Sequence, residues 1–132
     1  MIRHRKTWSV PLAEVSGIVI RGRGKGRMLG IHTMNISPKN VSKKISHGIY
    51  VGLMESSVGT FPGAVHYGPR PTMGDPLSFE VHCLGLRRSM YRRHIRVLVY
   101  KKIRGVKKFA SVAALKKAIG RDIAAVKKFF IT

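Results

Sequence analysis

The chain has 132 residues, 44% of them hydrophobic, which is enough to bury one core and more than a disordered segment would hold. Its 26 Lys and Arg against 5 Asp and Glu give a formal net charge of +21, so salt-dependent binding of polyanions is expected unless the host simply makes basic proteins. The lone Cys83 excludes an internal disulfide and favours a reducing compartment, the six scattered His build no zinc spacing with it, and no apolar run reaches the length of a membrane span.

Met1 to Lys6 are basic and lead into no signal-peptide hydrophobic segment, so the cytoplasm is expected, or an organelle interior if these residues reflect an organellar origin. Val15 to Ile20 is a compact run with β-branched residues and predicts a first strand, with Trp8 and Leu12 covering one end of the core. Arg21 to Asn35 then places Gly22, Gly24, Gly26 and Gly30 among Arg21, Arg23, Lys25 and Arg27. Glycines let several backbone N–H groups turn toward one anion, and the interleaved cations add charge, so the stretch suits a phosphate cradle. It closes with no Gly-Lys-Ser/Thr, and Arg27 and Leu29 occupy the places where a dinucleotide fingerprint needs its third glycine. A basic, flexible loop lying on RNA phosphates would read the same way. Thr33 and Asn35 sit two apart and face the same side of an extended strand, where they offer neutral oxygens to a magnesium ion already held by phosphates.

Further along, Ser37-Pro38-Lys39-Asn40 predicts a turn, Gly48 to Met54 a second strand, Ser56 to Thr60 a turn, and Ala64 to Tyr67 a shorter strand. Gly68 to Pro76, with its three prolines, reads as a shaped loop outside regular structure. Ser78 to Leu84 alternates, sending Phe79, Val81 and Cys83 to one side and Glu80 and His82 to the other. His94 to Tyr100 is another strand. Ser111 to Phe130 changes period: Val112, Leu115, Ile119, Ile123, Val126 and Phe130 make one helical face, with Ser111 as N-cap. The expected architecture is mainly β, a small antiparallel barrel followed by a C-terminal helix. In one domain over 1–132, residues 1–13 form an extension, 14–110 the barrel and 111–130 the helix. Of the acids Glu14, Glu55, Asp75, Glu80 and Asp122, only Glu80 falls inside a predicted strand, where a carboxylate could accept a proton, hold a metal or pair with an arginine.

The series Gly22 to Asn35, Gly48-Ile49-Tyr50, Gly68-Pro69-Arg70-Pro71-Thr72, Phe79-Glu80-Val81-His82, Ile103 to Ser111 and Leu115 to Ile123 resembles, in order, the riboflavin kinase family, including the kinase half of bifunctional bacterial FAD synthetases. The resemblance spans nearly the whole chain and implies a six-stranded Greek-key barrel that transfers the ATP γ-phosphoryl group to riboflavin, giving FMN and ADP. It implies nucleotide binding at Gly22, Gly24, Lys25, Gly26, Arg27, Gly30, Thr33 and Asn35, with Thr33 and Asn35 serving Mg²⁺. Glu80 would act as the catalytic base, and Arg104, Lys107 and Phe109 would border the flavin. The adenylyltransferase half is not in this chain, so FAD synthesis is not expected.

Two departures bear on the site. His32 and Met34 stand where the family usually has Pro and Ala, which puts a bulky Met34 beside the nucleotide. Ser89 and Arg92 flank Met90-Tyr91 where the family has Asp and Gly. A second reading follows from the charge: a weak or inactive kinase barrel recruited as a basic RNA-binding or ribosome-associated component. Neither reading involves a membrane, and the free chain is expected to be a monomer.

Overall fold

The computed structural model describes residues 10–21, 33–42, 45–70 and 75–131. Trp8, the glycine loop from Gly22 to His32 and Pro71 to Gly74 lie outside them. Six strands, β1 (Ala13–Ile18), β2 (Thr33–Ile36), β3 (Gly48–Ser56), β4 (Gly59–Arg70), β5 (Asp75–Cys83) and β6 (His94–Arg104), precede one helix, α1 (Val112–Ile131). All neighbours pair antiparallel in the order β1-β6-β3-β4-β5-β2. The sheet curls into a half-barrel whose two edges touch at one bridge, where the Ile20 amide donates to the Asn35 carbonyl at 2.8 Å. The first strand thus stops short of the expected Ile20, which keeps only this closing contact.

Alternation decides which face each residue takes. Inward, Val15, Met34, Phe79, Val81, Val97 and Val99 are buried in the barrel core. Outward, Ile49, Val51, Leu53, Ala64, Leu98 and Tyr100 receive Val126 and Phe130 of α1, forming a second core beneath the helix. Phe130 is 2% exposed and meets Tyr100 and Phe129 edge-on, at centroid distances of 6.0 and 5.0 Å. The helix starts as expected: Ser111 Oγ accepts the Ala114 amide at 3.1 Å.

Two expectations change. Gly68 to Pro76 was expected to be loop, yet β4 continues to Arg70 and β5 begins at Asp75. The sheet accommodates Pro69 and Pro76 through a register shift: Gly68 opposes Ser78 and Arg70 opposes Asp75, leaving an extra residue on β5. Gly68 takes φ +138° there, and a Cβ on it would meet His47 and Val106 at 3.1 Å. The inward stripe of α1 is also shifted from the expected one: Val112 is 41% exposed and Ile123 half-buried, while Ala118 and Asp122 are buried. Arg92 holds φ +69°, a conformation glycine adopts freely, and its backbone is fixed by its amide donating to the Val19 carbonyl at 2.9 Å.

Phe130→Ala empties the centre of the helix–sheet core, so it is expected to cost about 3–5 kcal/mol, read as a lower urea midpoint at unchanged m-value. Burial pushes the Cys83 thiol far above its ordinary pKa, so in the folded protein it is expected to react with a disulfide reagent at least ~100-fold more slowly than in urea.

Candidate active site

Strand register builds the site. On the helix-facing side, Arg104 of β6 opposes Ile49 of β3, Ile49 opposes His66 of β4, His66 opposes Glu80 of β5, and Glu80 opposes Asn35 of β2. These five residues form one transverse row across five strands, about 19 Å long at the usual strand spacing. A parallel row sets Ala64, His82 and Thr33 side by side. Thr33, Asn35, Glu80 and His82 therefore share a face, and directly opposed side chains on such a face have Cβ atoms about 5 Å apart.

Glu80 and His82 are buried, and the Glu80 Oε1 lies 3.2 Å from His82 Nε2. Thr33 and Asn35 are half-buried. Met34 corrects the expectation made for it. At 1% exposure, opposite Val81, it is packed inside the barrel on the face away from Thr33 and Asn35. Period two sends it there, so its bulk fills the core and leaves the face of Thr33 and Asn35 untouched.

Between this face and α1 lies an open cleft, whose empty space of about 440 Å³ includes solvent at its mouth. His66, His82 and Ile49 make its floor, Val106, Lys107 and Phe109 one wall, and Leu115, Ile119 and Asp122 its roof. Arg104 reaches into it with its guanidinium 5.3 Å from the Phe109 ring centroid, and the Lys107 ammonium is 5.8 Å from the same ring. Asp122 fixes that arginine: Arg104 Nε and Nη2 donate to its two carboxylate oxygens at 2.9 and 2.8 Å. The cleft thus offers apolar walls, a flat aromatic and a rigid cation.

The structure brings Arg104, Lys107 and Phe109 together at the cleft, and Thr33, Asn35 and Glu80 together on the neighbouring sheet surface. Gly22, Gly24, Lys25, Gly26, Arg27 and Gly30 lie outside the described residues. Asp122 was missed. An acid on the apolar stripe of α1, between Ile119 and Val126, was the available signal, since a buried carboxylate there needs a partner. Glu14 and Glu55, by contrast, both pair with Arg96 at the partly exposed β1–β6–β3 surface, at 3.6 and 2.8 Å.

The riboflavin kinase (flavokinase) family model matches residues 11–130. The chain belongs to the riboflavin kinase family. It is 36% identical over 121 residues to the bifunctional riboflavin kinase/FMN adenylyltransferase of Escherichia coli K12, covering 88% of this chain and 37% of that protein. It is 30% identical over 118 residues to the RNA-binding riboflavin kinase RibR of Bacillus subtilis, covering 88% of this chain and 50% of that protein. The fold also matches the crystal structure of riboflavin kinase from Trypanosoma brucei, with a TM-score of 0.58 at 20% identity over 88% of this chain and 78% of that one. The chain therefore spans between about a third and a half of the two bacterial relatives' length.

Removing Asp122 leaves the Arg104 guanidinium near the cleft without its two acceptors. With Arg104 partly solvated, Asp122→Ala is expected to cost about 1–3 kcal/mol, measured by denaturant unfolding, and to weaken ligand binding in the cleft at temperatures where the protein stays folded.

Proposed function

We propose that the chain phosphorylates riboflavin, transferring the γ-phosphoryl group of ATP to the flavin's 5′-hydroxyl to give FMN and ADP. The observation that carries this is the transverse row: Asn35 and Glu80 directly opposed on one face, with Arg104 and the cleft at the row's far end. The cleft would take the flavin rings between Phe109 and the apolar side of α1, and the ribityl chain would extend along the floor past His82 toward Glu80.

Glu80 would accept the hydroxyl proton as the new O–P bond forms and the bond to the ADP oxygen breaks. His82, 3.2 Å away, orients the carboxylate. Thr33 and Asn35 supply hard neutral oxygens, and among the described residues no group of three His, Cys, Asp or Glu could hold a metal without further ligands. That donor set fits Mg²⁺, which is bound through few protein groups and substrate phosphates; when bound it neutralises phosphate charge. The glycine loop would hold the nucleotide phosphates with Lys25 and Arg27.

A second reading, association with RNA, is favoured by the charge of +21 and by the similarity to an RNA-binding riboflavin kinase.

With riboflavin, ATP and Mg²⁺, the purified chain is expected to form FMN, resolved from riboflavin by chromatography. Glu80→Gln should lower the rate about 10²–10⁴-fold in protein that stays folded, read as an unchanged circular dichroism spectrum, since amide and carboxylate have the same shape. Absence of FMN from folded wild-type protein would contradict the assignment.

A further inference from the structure

The helix has a second face. Opposite the stripe that roofs the cleft, Lys116, Lys117, Arg121, Lys127 and Lys128 are all exposed, and the only acid of α1, Asp122, points inward and is bound to Arg104. The outer face therefore carries five cations and no acid. Between them stand Gly120 and Ala124, both exposed and small. Packing does not explain Gly120, since a Cβ there would have nothing within 4 Å, and glycine in mid-helix costs about 1 kcal/mol relative to Ala. Helix stability accounts for the charge of Lys128, in the last turn, but not for those of Lys116 and Lys117. The first turn holds no acid, and Lys116 and Lys117 follow in the next turn, toward the positive end of the dipole.

We propose that this outer face of α1 is a docking surface for double-stranded RNA, held through the phosphate backbone. The proposal rests on the second reading above and gives it a place. From Lys116 to Lys128 the face runs about 18 Å at 1.5 Å per residue, long enough to follow several successive phosphates. The small residues between the cations let a sugar–phosphate chain lie close to the helix. A membrane surface is disfavoured because the apolar stripe an interfacial helix must insert is already buried against β3 and β4, with Val126 at 0% and Phe130 at 2% exposure. A wide, shallow A-form minor groove flanked by phosphates suits such a flat face. Because the inner face of the same helix borders the cleft, flavin and RNA could be bound at once.

The test uses the full chain, a 20-base-pair RNA duplex, the DNA duplex of the same sequence and anionic lipid vesicles, with binding measured between low and moderate salt. Lys117→Gln/Arg121→Gln/Lys128→Gln is expected to weaken RNA binding at least ~10-fold and to flatten the salt dependence by about three contacts' worth, with FMN formation unchanged. The control Lys39→Gln/Arg87→Gln/Arg88→Gln loses the same charge at other exposed positions and should bind RNA nearly as wild type does. If the triple helix variant melts early, the single changes Lys117→Gln and Lys128→Gln decide the matter, each flattening the slope by about one contact. Wild-type protein that binds no RNA would overturn the RNA reading altogether. Equal loss in both triple variants would overturn only the location. Tighter binding to DNA or to vesicles than to RNA would overturn the proposed partner.

Discussion

Strand register is the constraint on which the rest of this molecule depends. Antiparallel pairing of β6, β3, β4, β5 and β2 sets Arg104, Ile49, His66, Glu80 and Asn35 in one line, and a slip of one residue in any strand would send its member of the line into the barrel. The slip is prevented by the opposite face. Phe79 and Val81 on β5 and Met34 and Ile36 on β2 are all at most 1% exposed in the barrel core, so polar residues on the outer face are placed by the apolar ones between them. The bridge between Ile20 and Asn35 then ties the row's end to the start of the glycine loop.

The helix closes the arrangement from outside. Its packing on β3 and β4 through Val126 and Phe130 creates a second core, and nearer its start the same stripe opens into the cleft. Asp122 sits on the stripe between these regions and binds Arg104 with both carboxylate oxygens, so one ion pair joins strand β6 to the helix at the cleft wall, and the same guanidinium meets the Phe109 ring. In so cationic a chain the few acids mark where geometry is held: Glu14 and Glu55 at Arg96, Asp122 at Arg104, and Glu80 beside His82.

Much of this was legible in the sequence. Alternation in Phe79-Glu80-Val81-His82-Cys83 assigned both faces of β5 correctly, and the two-residue spacing of Thr33 and Asn35 put them on one side of β2, because period two in a strand admits no other outcome. The same rule, applied to Met34, would have removed it from the nucleotide side. The expectation failed because the residue was judged by its neighbours in sequence and not by its face. The loop expected from Gly68 to Pro76 failed at its two ends, Gly68 to Arg70 and Asp75 to Pro76, for a different reason: prolines remove donors, and whether a strand survives them depends on a bulge in the partner, which only the pairing reveals. Asp122 stayed hidden because a helical stripe was drawn from apolar residues alone, so a buried carboxylate with a distant arginine partner left no local pattern.

The central claim is that both proposed reactants meet on one face of one sheet, one of them beneath the helix and the other beside it. Hydrogen–deuterium exchange of the full chain, with riboflavin, ADP and Mg²⁺ added together, tests it most directly. The account predicts slower exchange in two separated stretches at once, Thr33 to Ile36 and Arg104 to Ile119, with each retained when only its own ligand is present. Protection confined to one stretch for both ligands, or located on β1 and the Arg87 to Arg93 connection instead, would contradict it.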